Sequence, residues 1–182
     1  MTLRDSLSER KENIIEKWFE RIIDTYPPDT SRFLKDQKDR FANPVGATIS
    51  RGLEGIFEEI LKDEQDQAKV SKFIDNIVRI RAVQNFNPSQ AISFIFLLKN
   101  IIRDELTVDV LHNHNADELL ALESQIDGLA LTAFDIFMNC REKIYEIKSN
   151  EAKDMTFRLL QRANLLKEKQ NHVADDMNDV TQ

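Results

Sequence analysis

The sequence predicts an all-α protein, either globin-like or an irregular multi-helix bundle, closed by a long C-terminal helix. Three observations predict it. Gly and Pro number only 4 each in 182 residues, too few to punctuate the turns of a β-sandwich or barrel. Apolar residues recur at i, i+3 and i+4 along most of the chain. After Gly128 neither Pro nor Gly occurs again, so nothing local stops the last helix. Hydrophobic residues make up 41% and charged residues 31%, enough apolar material for a packed core.

The first helix is predicted to start at Ser6, which stands at capping-box spacing from Glu9. Its buried stripe is Ile14, Ile15, Trp18, Phe19, Ile22 and Ile23, and Tyr26-Pro27-Pro28 ends it. Asp29 is placed to cap a short helix carrying Phe33 and Leu34. Asn43-Pro44 starts a second long helix, since Asn is a strong N-cap and Pro suits the first helical position. Its face is Ile49, Leu53, Ile56, Phe57, Ile60 and Leu61. Gly46, Gly52 and Gly55 cost it helix propensity, which points to close approach of a neighbouring backbone.

A polar link over Lys62–Lys69 leads to a third long helix from about Ala68 to Val83. Asn87-Pro88 repeats the start device. The helix it opens, SQAISFIFLLKNIIRDEL, is apolar nearly all round and belongs at the centre. Asn115 and Glu118 stand at capping spacing and open the last helix, whose stripe runs from Leu119 through Leu129, Phe134 and Phe137 to Cys140. That helix is expected to continue to about Lys169.

The net charge of −7 argues against nucleic acid, whose phosphates are met by concentrated basic surface. A single cysteine excludes a disulfide framework and a Cys-based zinc cluster. The N-terminus has no apolar core of a signal peptide, and the longest apolar run, Ala91–Ile102, is too short to span a bilayer. The expectation is a cytoplasmic protein without membrane insertion.

No pattern carries catalysis, so the chain is read as a non-enzyme with no cofactor. His112 and His114 flank one residue in an inter-helix loop, but two ligands do not make a metal site. His172 lies near the C-terminus, leaving no helix histidine placed as an axial haem ligand. Cys140, beside Arg141, is read as a small core residue rather than an activated thiol. Phe73, Ile77, Phe94, Phe134 and Phe137 are the candidate lining of a pocket for a small apolar molecule or haem. Arg79 and Arg81 lie in a strongly apolar run, and a buried charge needs a partner. Asp127 and Asp135 are the candidate partners in an internal ion pair. Beyond Lys148 a thin 3/4 pattern of Ala152, Thr156, Leu159, Ala163 and Leu166 marks a weak coiled-coil seam or a solvated extension.

Three segments carry a family resemblance. They are Tyr26-Pro27 with FLKDQKDRFANPVG, then IVRIRAVQNFNPSQAISFIFLLKNIIRDEL, then IDGLALTAFDIFMNCREKIYEIKSNEAK. The densest matches are Phe41–Gly46, Ile80–Gln84 with Pro88–Gln90, and Cys140–Tyr145. In this order they resemble the RsbRD N-terminal domain, the sensory module of RsbT co-antagonist proteins, over about Leu7 to Lys153. The resemblance implies a dimeric helical input domain, similar to a globin without haem, that elsewhere precedes a STAS or histidine kinase domain. The residues after Lys153 are too few for either, so the expectation is a stand-alone protein acting on a separate signalling partner, with a chain from which an output domain has been removed as the alternative. The expected organisation is a sensor-like domain over 1–150, a helical extension over 151–170 and a disordered tail over 171–182. The expected function is regulatory, through protein contacts of the C-terminal helix, with a ligand-binding sensor as the alternative.

Overall fold

The computed structural model describes residues 2–36, 41–84, 86–106 and 116–179, with side chains through 164. Among these residues there are seven helices and no strand. They are α1 (Leu3–Glu9), α2 (Lys11–Ile23), α3 (Pro28–Asp36), α4 (Pro44–Ile60), α5 (Gln67–Val83), α6 (Pro88–Glu105) and α7 (Ala116–Asp179). The chain divides into two compact units, Met1–Cys140 and Arg141–Gln182.

The chain's start differs from expectation. Helix α1 begins before Ser6, because Thr2 and Asp5 form a capping box of their own. The Thr2 hydroxyl accepts from the Asp5 amide at 3.2 Å, and the Asp5 carboxylate accepts from the Thr2 amide at 2.8 Å. Ser6 is buried inside α1, and the helix breaks at Arg10, whose backbone leaves the helical region with φ −103° and ψ 9°. The break separates α1 from α2, and both Leu3 and Leu7 are buried.

The Asn-Pro starts of α4 and α6 form as the sequence predicts. Asn43 Oδ1 accepts from the Gly46 amide at 2.8 Å, while its Nδ2 donates to the Leu34 carbonyl at 2.9 Å. That second bond anchors the end of α3 to the start of α4. Asn87 and Gln90 cap each other at α6. Helix α5 is capped by Asp66, which accepts from the Ala68 and Lys69 amides.

In the first unit α4 packs on α5, and α2 lies against both α4 and α6. The core joins Trp18, Ile22, Leu53, Phe57, Ile74, Phe94 and Leu98 in one cluster. Trp18 is fully buried, and its indole donates to the Phe94 carbonyl at 2.6 Å. The α4–α5 contact explains two of the glycines. A Cβ on Gly52 would lie 2.7 Å from Ile77 Cδ1, and one on Gly55 would lie 2.5 Å from the Phe73 ring. The neighbour that comes close is a pair of α5 side chains; of its backbone only the Phe73 carbonyl comes near, 3.4 Å from a Cβ on Gly52.

Arg103 binds Glu123 through two bonds, and Lys99 binds Asp127 at 2.9 Å. The rising number on α6 meets a falling number on α7, so the two helices run antiparallel here. Glu118 accepts from the Leu3 amide at 3.0 Å, so it ties α1 to α7; Asn115, its expected capping partner, lies outside the described residues. Helix α7 continues to Asp179, past the end expected near Lys169 and through most of the stretch read as a tail. A run without Gly or Pro offers no local stop.

Candidate functional site

The chemically singular place in the first unit is Arg81, in the last turn of α5. Its side chain is 0% exposed. Nη2 donates to Thr25 Oγ1 and to the Gln90 carbonyl, each at 3.0 Å. The guanidinium lies 4.1 Å from the Phe86 ring centroid and 5.3 Å from that of Tyr26. These rings meet edge to face, 5.1 Å apart. Thr25 and Tyr26 follow α2, while Phe86 and Gln90 bracket the start of α6. Three helix ends therefore converge on one cation.

Arg81 meets no carboxylate among the described residues. Among the described residues its Nε and Nη1 make no well-formed hydrogen bond, and the hydroxyl of Tyr26, a residue 6% exposed, interacts with the guanidinium. Burial pushes the Tyr26 phenol up, with the Arg81 charge pulling against it. Burial likewise lowers Arg81, opposed by Tyr26. An arginine keeps its proton even so, and a buried cation short of partners carries a heavy desolvation cost.

This geometry corrects the expected ion pair. Arg79 points outward and binds Asp75 one turn earlier on α5 at 2.6 Å. Asp127 is held by Lys99, and Asp135 is exposed. The end of α5 meets α2 and α6, which bring hydroxyl, carbonyl and rings but no acid.

The five residues read as a pocket lining are not brought to one opening. Ile77, Phe94 and Phe137 are fully buried core, and Phe94 stacks with Trp18 at a centroid distance of 6.3 Å. Phe73 is half-buried beside Gly55, whereas Phe134 is 41% exposed. The surface grooves lie elsewhere, one between α2 and α4 over Ile15, Phe19 and Ser50.

Burial raises the pKa of Cys140, against the pull of nearby Arg79, so the thiol is not activated. Arg141, the activator weighed for it, donates instead to the Tyr145 hydroxyl at 2.9 Å. No group of three or more His, Cys, Asp or Glu that could hold a metal occurs among the described residues. His112 and His114 lie outside those residues, as does the His172 side chain. Within the same limits no helix is long and apolar enough to cross a membrane.

Helix α7 bears exposed apolar side chains in both units. In the first these include Leu131, Phe134 and Met138; in the second they are Tyr145, Ile147, Met155, Phe157, Leu159 and Leu160. Ala152, Thr156 and Ala163 of the expected seam are exposed as well, while the Leu166 side chain is outside the described residues. The sequence pattern missed Met155, which stands four residues before Leu159 and three after Ala152. The sign it left was a large apolar residue in a polar run.

An uncharacterized protein of Archaeoglobus fulgidus is 27% identical over 146 residues, which are 78% of this chain and 83% of that one. No solved structure matches the chain. The family model for the RsbT co-antagonist protein rsbRD N-terminal domain matches residues 12–152. That span takes in α2 to α6, the Arg81 centre and the first part of α7, and the chain belongs to this family.

Proposed function

We propose that the protein is a non-catalytic regulatory protein of the cytoplasm that forms a homodimer and engages a signalling partner through its C-terminal helix. Membership of the family supports the regulatory part. The observation that carries the rest is the surface of the second unit. Tyr145, Ile147, Met155, Phe157, Leu159 and Leu160 are each more than half exposed. A helix made only to be solvated has no use for six large apolar side chains in sixteen residues, and such surfaces mark contacts with other proteins.

Spacing supports a helical partner. Tyr145, Lys148, Ala152, Met155 and Leu159 follow one another at intervals of three and four, the period of a coiled-coil seam. This line shares Ala152 and Leu159 with the seam read from the sequence and replaces Thr156 by a larger apolar neighbour. Output would be a shift between packings of the helices, biased by whatever binds. The test is sedimentation of the full chain beside a chain ending at Lys148. The shorter chain is expected to keep its helical core and become monomeric. Equal dimerisation of the two would sink the assignment to the C-terminal helix.

A further inference from the structure

Helices α2 and α4 pack together but leave a groove along their outer edge. They run antiparallel, since Lys11 meets Glu54 and Glu58 while Glu20 shares a hollow with Ala47 and Arg51. Ala47 and Ser50 are too small to fill the space above α2, so Ile15 and Phe19 stay part-exposed on the groove floor. Two hollows of about 440 and 550 Å³ share Glu16, Phe19, Ser50 and Glu54 and so form one channel with room for side chains. On the α2 edge of this channel Glu12, Glu16 and Glu20 follow one another a turn apart, all exposed. Like charges at that spacing repel and weaken the helix that carries them. The cations alongside do not relieve the row. Lys11 is taken by Glu54 and Glu58, Lys35 by Asp24, and Arg51 Nε donates to the Ala47 carbonyl of its own helix. Glu12 and Glu16 form no ion pair among the described residues.

We propose that the α2–α4 groove is a docking surface for a basic amphipathic helix of a partner protein. Its apolar side chains would enter over Ile15, Phe19 and Ser50, and its Lys or Arg residues would lie along Glu12, Glu16 and Glu20. Charge chooses this occupant. An acidic helix would meet like charge, and a purely apolar one would strip water from the carboxylates and give nothing back. Length limits it as well. Glu12 to Glu20 spans about 12 Å of α2, roughly two helical turns, so the contact needs a segment of about ten residues. The surface lies in the first unit and does not depend on the contacts proposed above for the C-terminal helix.

The test is fluorescence anisotropy of a labelled Leu–Lys peptide of about 14 residues, patterned as an amphipathic helix, titrated with the full chain. Saturable binding is expected, and the same residues scrambled to break the helical period should bind at least about tenfold more weakly. Ser50→Trp fills the channel from an exposed position and should weaken binding about tenfold. Glu12→Gln with Glu16→Gln should weaken it about fivefold and flatten its salt dependence. Glu142→Gln with Glu146→Gln removes two exposed charges at the same spacing from α7 and should leave binding unchanged. All these positions are exposed, so circular dichroism should show the helical content of wild type. The proposal is overturned if the scrambled peptide binds equally well, if Ser50→Trp binds as wild type does, or if the α7 pair weakens binding as much as the α2 pair. It is also overturned if Ser50→Trp changes the oligomeric state in sedimentation, because the groove would then be a contact between copies of this chain.

Discussion

Gly52→Ala tests the α4–α5 contact most sharply. The new Cβ would stand 2.7 Å from Ile77 Cδ1 and 2.9 Å from Ile77 Cγ1, where carbon atoms normally rest about 3.5–4.0 Å apart. One of the two must move by about 1 Å. Ile77 is completely buried, so it has no solvent to move into. Overpacking of this kind costs about 1–3 kcal/mol, and the better helix propensity of alanine returns about 0.8–1 kcal/mol. The net expectation is a loss of about 1 kcal/mol, or roughly 2–4 °C in melting temperature for a chain of this size. Denaturant unfolding of Gly52→Ala, Ile77→Val and the double variant reads the effect as a cycle. Ile77→Val alone should cost about 0.5–1.5 kcal/mol. In the alanine background it removes Cδ1, the nearer of the two clashing atoms, and leaves Cγ1, so the double variant should be better than the sum by up to about 1 kcal/mol. Gly55→Ala provides the contrast. Its Cβ meets the ring of Phe73, which is half-buried and can swing outward, so that change should be near neutral. An additive cycle, or a Gly52→Ala protein more stable than wild type, would refute the packing argument.

The two asparagine caps should differ in cost. Asn87→Ala removes an exposed cap and should lose about 1 kcal/mol in denaturant unfolding. Asn43→Ala also strips the buried Leu34 carbonyl of its donor and should lose about 2–3 kcal/mol; equal losses would contradict the α3–α4 anchoring. A third expectation concerns acid. The Lys62 ammonium beside Glu59, helped by the Asp66 amide and set against burial, holds the Glu59 carboxyl below its ordinary value of 4.5. A depressed folded value means that the stabilisation is present above about pH 4.5 and fades as pH falls through the folded value. Glu59→Gln should therefore melt earlier than wild type at pH 7 and converge with it in acid, once Glu59 is protonated in the folded state as well; parallel pH curves would remove Glu59 from the acid response.

Much of the fold was legible where the signals are local. Asn43-Pro44 and Asn87-Pro88 start helices because the cap and the fixed proline φ act within a single turn, whatever surrounds them. The beginning of the chain was not legible in the same way. Ser6 with Glu9 and Thr2 with Asp5 are both capping patterns, and a short window cannot rank them. The folded chain ranks them by burial: starting at Leu3 places Leu3 and Leu7 in the core and brings the Leu3 amide to Glu118, 115 residues away. The glycines of α4 were legible as a close approach, but not as one made mainly by the side chains of Phe73 and Ile77, since the register of α4 on α5 is a tertiary fact.

The candidate site divides along the same line. That a charge in the apolar run of α5 must be buried was deducible, and Arg81 is buried. Which groups surround it was not, because the nearest carboxylates in a helical reading, Asp127 and Asp135, belong to a helix that faces the cations of α6. The residues that do surround Arg81 are close to it in sequence or end the helix α2: Phe86 and Gln90 follow it within ten positions, and Thr25 and Tyr26 precede the Pro27-Pro28 break. Two of the segments that carry the family resemblance, the one opening at Tyr26-Pro27 and the one spanning Ile80–Gln84 with Pro88–Gln90, thus meet at this cation. The resemblance marks a place in three dimensions before it marks a role.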